Sequence, residues 1–338
     1  MDRSKILGYS HLQIRTSMKN KLIIVYNTCG ISGRENVPLY VKNIYAVLNQ
    51  KFDNFKVVLS SCLNSRQVRH NLVDEFKNNI SYNFIDSFIP VNISFNHTVM
   101  KAVEYFGPAD GYLYVSSGIS LANDINIVQK LYDLHVSGPY GITSARVDKD
   151  SGLVFWLLGG DIADESRQKE IFQNGNFVVP VGKTVNSHCE IFDHSIFENF
   201  NRRVMPDIFA SQASESIWSF ITACLGKKII IHKEAIVEHA IGSDGGSSGF
   251  RPEPTGQPGW KHTLPYAPRR IEDIISEPEA RECGLGYEEC QKILLHDVSK
   301  FDVDGNCLDP QRLKRFLTNF YLPEENFRYD LIDSAFIV

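Results

Sequence analysis

The sequence predicts an α/β fold in which an open, mixed but mostly parallel sheet carries helices on both faces. Over the first 150 residues, short apolar runs alternate with segments whose apolar residues recur at helical spacing. Polar or small residues directly follow three of these runs, where the strands are expected to end. Ligands of such sheets bind beyond the carboxyl ends of the strands, so these short polar stretches mark the expected site.

Each element follows from its local pattern. The run KLIIVY predicts a first strand over 21–26 that ends in a polar turn over 27–33. Further strands are expected over 55–59, 81–85, 111–115, 140–147, 153–158, 177–181, 228–232 and 235–240. Apolar residues at helical spacing predict helices over 35–50, 66–77, 97–106, 124–135 and 214–225.

Composition divides the chain into four regions. Residues 1–20 are expected to be an N-terminal extension, and residues 21–245 the α/β domain. Gly, Ser and Pro dominate residues 242–268. Because long loops of this kind are usually functional, we expect a flexible lid over 246–269. Residues 270–338 are expected to form a small, mostly helical C-terminal appendage.

Composition and charge also narrow the function. The chain has 338 residues and is 43% hydrophobic, which is enough for one large core. A net charge of −5 argues against nucleic acid as the main partner, because binding to phosphate backbones needs a basic surface. No apolar run approaches the roughly 20 residues that span a bilayer, and the N-terminus lacks the apolar centre of a signal peptide. Seven cysteines without a CxxC pair fit a reducing compartment, so we expect a cytoplasmic protein.

Several common motifs are absent or lack their required context. The dinucleotide fingerprint GxGxxG and the Walker A sequence do not occur. Residues 245–249 match GxSxG, but the following FRPEP cannot start the helix that a nucleophile elbow requires. In DVDGN (302–306), the place of the invariant glycine of a calcium loop is taken by Cys307. These patterns therefore favour neither a serine hydrolase nor a calcium site.

Two acidic residues and one histidine are candidate functional groups. Glu215 lies in the first turn of the predicted helix over 214–225, where an acid either complements the helix dipole or deprotonates an acceptor hydroxyl. Asp207, in the turn Met205-Pro206-Asp207, supplies a second carboxylate. His239 follows an apolar run and is either a strand-edge residue or a phosphate contact.

Four segments together resemble the GT-A glycosyltransferases, especially the large inverting group called family 2-like. The segment KLIIVYNTCGISGRENVPLYVKNIYAVLNQKFDNFKVVLSS resembles the opening strand, loop, helix and second strand of this group. The segment DGYLYVSSGISLAND resembles the strand that ends in the group's Asp-x-Asp. Its acceptor-side strand and helix resemble VGKTVNSHCEIFDHSIFENF, and the helix that begins with its acidic catalytic motif resembles PDIFASQASESIWSFITACLGKKIII. The resemblance covers residues 20–245, approximately the α/β domain.

The resemblance implies a Rossmann-like GT-A domain that moves a sugar from a nucleotide-sugar donor to a hydroxyl of a glycan or other acceptor. It implies that Glu215 is the base of a single inverting displacement. Asp207, from its position in the sequence, is the second candidate catalytic acid. The donor nucleotide is expected to contact Tyr26, Asn27, Thr28, Ser60, Ser61 and a turn at Asn96-His97. The phosphate and sugar are expected to face Ser116, Ser117 and Gly118.

One departure from the family concerns the metal. The Asp-x-Asp position reads Ser116-Ser117-Gly118, which supplies no carboxylate for the oxygen site that Mn²⁺ or Mg²⁺ needs. The chain is therefore expected either to work without metal or to be a degenerate binding module, and we assign no metal ligand. Without metal, cationic groups or backbone amides must neutralise the leaving phosphate. The candidate cationic groups in or near the predicted lid are His239, Lys261, His262, Arg269 and Arg270.

A nucleotidyltransferase is the other open alternative. That class shares a nucleotide-binding sheet and typically carries a glycine-rich first loop with a basic residue. Gly30, Gly33 and Arg34 follow the first predicted strand and give a weak version of this pattern.

Overall fold

The computed structural model describes residues 20–29, 36–86, 89, 91–147, 172–182, 185, 188–207, 217–239, 308–318, 321, 329 and 332–338. The predicted strand over 153–158 and the predicted lid over 246–269 lie outside these residues. The description below concerns the stated ranges alone.

The described strands form one mixed sheet. Their bounds are β1 Asn20–Cys29, β2 Phe55–Cys62, β3 Ser81–Ile85, β4 Ala109–Ser116, β5 Ile119–Ser120, β6 Tyr140–Val147, β7 Phe177–Val179, β8 Cys189–Asp193, β9 Lys228–His239 and β10 Ser334–Ile337. Their spatial order is β10-β3-β2-β1-β4-β8-β6-β9-β5, with β7 beside β9. β3, β2, β1 and β4 are parallel, β8 is antiparallel to both of its neighbours, and β6 is parallel to β9. Six strands thus point the same way, which confirms the predicted open, mostly parallel sheet.

Helices cover both faces of this sheet. Their bounds are α1 Val37–Leu48, α2 Arg66–Phe76, α3 Val91–Phe106, α4 Ile127–Val136, α5 His194–Asn199, α6 Trp218–Cys224 and α7 Pro310–Thr318. The side chains of Asn36 and Ser65 cap the N-termini of α1 and α2 by accepting backbone N–H groups, which is the usual role of these residue types.

The alternation along β1 creates two cores. Ile23 and Val25 are fully buried on one face, with the apolar sides of α3, α5 and α6. Leu22 and Ile24 are fully buried on the other face, with α1, α2 and α4. A strand buried on both faces needs the continuous apolar run that the sequence shows here.

The central strands run further than the apolar runs predict. β1 continues to Cys29 and β2 to Cys62, so the polar residues after each run still belong to a strand. β1 is paired on both sides here, with β2 through Cys29 and with β4 through Asn27. Ladder hydrogen bonds from two neighbours outweigh the weak strand propensity of Asn and Ser.

The third helix also begins earlier than predicted. α3 starts at Val91, so Asn96-His97 lies inside a helix and the predicted turn there is wrong. Asn92 and Ser94 in its first turns are buried and hydrogen-bonded to residues outside the helix. Buried helix positions are usually apolar, so these polar residues interrupt the expected apolar spacing. Apolar spacing therefore predicts the second part of this helix and misses its start.

The C-terminal residues that the structure describes join the main domain. Leu313 and Leu317 of α7 belong to the core under α3 and α6. β10 pairs antiparallel with β3, with Phe336 opposite Asn83. The sequence pattern does not predict this added strand.

The two short strands expected over 228–232 and 235–240 are one strand, β9. Its pairing with β6 shifts register between Ser144 and Arg146, which allows a single strand to cross the polar break in its sequence. Within the described part of the chain, no helix combines the length and apolar character needed to cross a membrane.

A first prediction concerns the tight contact between β4 and β8. A Cβ atom at Gly111 would lie 2.7 Å from Ile191 Cγ2 and 3.1 Å from the carbonyl oxygen of Phe192. We expect Gly111→Ala to lower the free energy of unfolding by about 1–3 kcal/mol, because the extra methyl overpacks the core. Denaturant unfolding measures this loss, and in an Ile191→Ala background the added methyl should cost distinctly less. An equal loss in both backgrounds would contradict the assigned contact.

A second prediction concerns the pH dependence of stability. Burial, assisted by the charge of Lys101, lowers the pKa of His97 to about 4. Asn83 Nδ2 lies 3.0 Å from His97 Nδ1, so the neutral ring accepts there and protonation would put two donors face to face. Because the unfolded chain binds this proton near pH 6.5, stability falls as pH drops below that value. The loss between pH 7 and pH 5 is about 2 kcal/mol.

The variant His97→Gln removes this titration. We expect its unfolding free energy, measured by denaturant titration, to depend less steeply on pH than that of the unmodified protein between pH 7 and pH 5. His70→Gln is the matched control, because His70 is an exposed histidine on α2. A slope that His97→Gln leaves unchanged would show that another group carries the dependence.

Candidate functional site

The carboxyl ends of β1, β2 and β4 lie side by side at one edge of the sheet. Asn27 pairs with Ser60 of β2 and with Ser116 of β4, and Thr28 pairs with Ser61. The chain passes outward from β1 to β2 and β3, then returns to place β4 on the other side of β1. This reversal makes the β1/β4 boundary a topological switch point, where open α/β sheets bind ligands.

Most side chains at the ends of β1 and β2 form hydrogen bonds inside the protein. Thr28 Oγ1 and Ser61 Oγ each donate to Asn64 Oδ1, both at 2.8 Å. Thr28 is 1% exposed and Ser61 is fully buried. These hydroxyls therefore fix the two strand ends to the loop before α2. Asn64 was not among the sequence-predicted residues, since a single polar residue in a loop gives no signal.

A second set of buried bonds joins the strand ends to α3. Ser94 of α3 donates to Asn27 Oδ1 at 3.1 Å, and its oxygen lies 2.8 Å from Ser60 Oγ. Thr98 also donates to Ser60 Oγ, at 2.9 Å. The N-terminal half of α3 is thus locked to the edge where the strands end.

A turn at residues 117–118 follows β4 and is anchored from the opposite face. Tyr26 Oη donates to the carbonyl oxygen of Ser117 at 2.7 Å, and Asn43 Nδ2 donates to the same oxygen at 3.1 Å. Both donors are fully buried. Tyr26 was expected to contact the nucleotide, whereas its hydroxyl lies against this turn. Asn43 was missed, although a polar residue among the apolar positions of α1 is a detectable signal.

β8 starts beside the end of β4 and brings a carboxylate close to the switch point. The backbone N–H of Ser116, which is half-buried, donates to the carbonyl oxygen of His188 at 3.0 Å. Glu190 is 1% exposed and accepts the backbone N–H of His188 at 2.9 Å and Ser144 Oγ at 3.3 Å. Sequence reasoning did not single out Glu190, although an acid within an apolar strand signals a bonded group.

Asn96 and His97 have their contacts elsewhere. Asn96 Oδ1 accepts the backbone N–H groups of Val204 and Met205, each at 2.9 Å. His97 contacts Asn83 of β3 and, at 3.4 Å, Ser334 of β10. Among the described contacts of these two side chains, none is with the ends of β1 or β4.

Asp207 forms a buried ion pair. Its Oδ2 accepts from Arg203 Nη1 at 2.7 Å and from Tyr329 Oη at 3.0 Å. Asp207 is fully buried and Arg203 is 3% exposed. Burial alone would lower the pKa of Arg203, but the adjacent Asp207 carboxylate raises it overall, so the guanidinium stays protonated. In this arrangement the Asp207 carboxylate faces the guanidinium and not the surface.

The remaining predicted residues are only partly placed. The backbone of His239 pairs with Ile119, so the end of β9 lies next to the turn at 117–118. Gly118 is buried in that turn. The other predicted site residues lie outside the described residues, and these are Glu215, Lys261, His262, Arg269 and Arg270.

The donor groups at the turn do not suit a hard divalent cation. Ser116, Ser117 and Gly118 offer hydroxyl and backbone groups, whereas Mn²⁺ and Mg²⁺ sites are usually built on carboxylates. In the described ranges, no group of three or more His, Cys, Asp or Glu side chains is arranged to hold a metal ion. No chemical step is therefore assigned to a metal here.

Comparison with known proteins gives structural likeness alone. No protein-family model and no curated protein sequence matches the chain. Among solved structures, the mannosyltransferase PcManGT from Pyrobaculum calidifontis, in complex with GDP-Man and Mn²⁺, is similar with a TM-score of 0.47 and 9% identity, over 67% of this chain and 59% of that one.

Two structures of S. aureus TarS 1-349 are also similar. The complex with UDP has a TM-score of 0.45 and 12% identity, and the second structure has a TM-score of 0.46 and 13% identity. Both matches cover 65% of this chain and 60% of TarS 1-349. The matched region thus spans about three fifths of each of these structures, and at such low similarity nothing about this chain's donor, acceptor or metal follows from them.

Proposed function

We propose that this chain is a glycosyltransferase that moves a sugar from a nucleotide-sugar donor to a hydroxyl acceptor. The observation that carries the proposal is the convergence of three short-side-chain strand ends at the switch point between β1 and β4. Open α/β sheets bind their ligands, nucleotides among them, outside the carboxyl ends of the strands at such a switch point. Small residues at its rim allow a ligand to approach the backbone closely.

The donor would lie across the ends of β1, β2 and β4. Buried hydrogen bonds fix the side chains of Thr28, Ser60 and Ser61, so they position the strand ends and leave direct contacts to the backbone and to the turn at 116–118. The same turn carries no carboxylate, so a diphosphate meets no acidic repulsion there. This supports a transfer that does not depend on a divalent metal.

The proposed base, Glu215, follows a segment whose start is held by α3, the helix that also contacts the end of β1. Asn92 and Asn96 of α3 donate to the backbone oxygens of Pro206 and Met205, at 2.6 and 2.7 Å. The same helix bonds Asn27 through Ser94. One helix thus links the tip of β1 to the chain just before residue 208. Residues 208–216 lead from there to α6, which supports a role for Glu215 near the donor.

In this proposal Asp207 has a positioning role. Its ion pair with Arg203 and its bond to Tyr329 fix the chain at the point where the acid-bearing segment departs. Glu215 deprotonates the acceptor hydroxyl, which attacks the anomeric carbon and displaces the nucleoside phosphate in one inverting step. The lid expected over 246–269 closes over the donor and limits hydrolysis by water.

A third prediction tests donor binding. We expect at least one member of a panel of nucleotide sugars to raise the midpoint of thermal unfolding in the presence of a chelator. Binding to the native state stabilises it by about 2.7 kcal/mol when the ligand is at 100 times its Kd. Ser116→Phe should fold normally and lose this shift, because Ser116 is half-buried at the strand end and a ring there fills the crevice.

Ser137→Phe is the control for that variant, since Ser137 is an exposed serine after α4, at the opposite edge of the sheet. It should keep the full shift. A shift that appears only with added Mn²⁺ or Mg²⁺ would contradict metal independence. Binding without transfer would favour the degenerate binding module, and pyrophosphate release from a nucleoside triphosphate would favour a nucleotidyltransferase.

A fourth prediction tests the base. Glu215→Gln should reduce sugar transfer by about a hundredfold or more, because general-base catalysis typically contributes that much. Donor binding should persist, since the amide keeps the size of the side chain. Transfer assays are run beside Glu234→Gln, which alters an exposed acid in β9. Near-normal transfer by Glu215→Gln would remove Glu215 from the mechanism.

A further inference from the structure

We infer that the Ser117–Gly118 peptide is a backbone anion site, and that Tyr26 and Asn43 are the positioning residues that orient it. Its ligand would be the phosphate group of the donor that leaves with the nucleotide. The inference rests on the proposed function and specifies how a diphosphate is held at a turn without carboxylates.

The first observation is the convergence of two donors on one carbonyl oxygen. Tyr26 Oη lies 2.7 Å and Asn43 Nδ2 lies 3.1 Å from the oxygen of Ser117. Asn43 Nδ2 also donates to Tyr26 Oη at 3.5 Å, so one anchor is hydrogen-bonded to the other. Because both side chains are fully buried, neither can exchange this bond for one with water.

The second observation is where these donors come from. Tyr26 lies in β1 and Asn43 in α1, so the Ser117 oxygen points to the core between the sheet and α1. In a trans peptide the N–H points opposite to the C=O, and the described residues contain no cis peptide. The N–H of Gly118 is therefore directed away from that core, in the buried turn that directly follows β4 at the switch point.

The chemistry of such a group fits a phosphate. A fixed backbone N–H in a turn is a strong donor to an anion, and it needs no reorganisation when charge develops on a leaving group. Gly118 adds no Cβ that would hold a ligand off the backbone. The N–H would thus supply part of the charge stabilisation that a carboxylate-bound metal supplies elsewhere.

The two anchors act through the peptide and do not touch the ligand. Tyr26→Phe removes one donor and keeps the buried ring, so the peptide loses its stronger anchor while the core stays filled. The matched control is Tyr82→Phe. This change also removes the hydroxyl of a buried tyrosine, which donates to the backbone oxygen of Lys77 at 2.9 Å. Tyr82 lies at the start of β3, which β2 separates from β1.

The experiment measures binding of UDP and GDP, and of uridine and guanosine, to the unmodified chain and both variants with chelator present. For the diphosphate that binds, we expect Tyr26→Phe to weaken affinity roughly tenfold, because a Gly118 N–H that is no longer held in place loses about one hydrogen bond to a charged group. Affinity for the matching nucleoside should stay within about twofold, and Tyr82→Phe should change neither. Asn43→Leu, combined with Tyr26→Phe, should weaken the diphosphate further.

A direct readout uses selective ¹⁵N-glycine labelling. The amide signal of Gly118, assigned by its loss in Gly118→Ala, should move on addition of the diphosphate and move less in Tyr26→Phe. If the unmodified chain binds neither diphosphate nor any nucleotide sugar, the proposed function fails and this inference fails with it. If it binds them, and Tyr26→Phe leaves diphosphate affinity unchanged or weakens nucleoside and diphosphate equally, the inference alone is overturned.

Discussion

The parallel pairing of β1 with β2 on one side and β4 on the other is the constraint on which the rest of the structure depends. It extends the strands beyond their apolar runs and carries Asn27, Ser60 and Ser116 to one edge. The register of such a strand is strongly specified. A shift of one residue would move every β1 side chain from one buried core to the other. The position of the candidate site is therefore set by the core beneath it.

Polar residues at this edge serve mainly to hold the edge together. Asn64 accepts from Thr28 and Ser61, and Ser94 joins β1 and β2 to α3. Buried polar groups must be paired, and the bonds of Thr28 and Ser94 link separate elements, whereas Ser61 and Asn64 are only three residues apart. Most of the polar side chains at this edge are therefore held by internal hydrogen bonds, and Ser116 remains half-buried there.

The candidate site was predictable in location more than in detail. Polar residues directly after apolar runs correctly indicated which strand ends come together, because parallel strands end at one edge of a sheet. The sequence did not predict the roles of individual side chains at this edge. Tyr26 is anchored to a backbone oxygen and Asp207 to Arg203, and both facts depend on partners far away in the sequence or on burial.

By itself, the sequence determined the α/β class, the alternation of strands and helices over the first 150 residues and the three strand ends that meet at one edge, because hydrophobic period and short polar interruptions are local properties of the chain. Tertiary structure decided the antiparallel β8 between β4 and β6, the edge strand β10 and the early start of α3. It also decided which polar residues are buried anchors. The strands and the start of α3 depend on pairing or hydrogen bonding between segments distant in sequence, and the local pairs Arg203–Asp207 and Ser61–Asn64 depend on burial that the rest of the fold supplies. A local sequence pattern does not identify such partners or predict that burial.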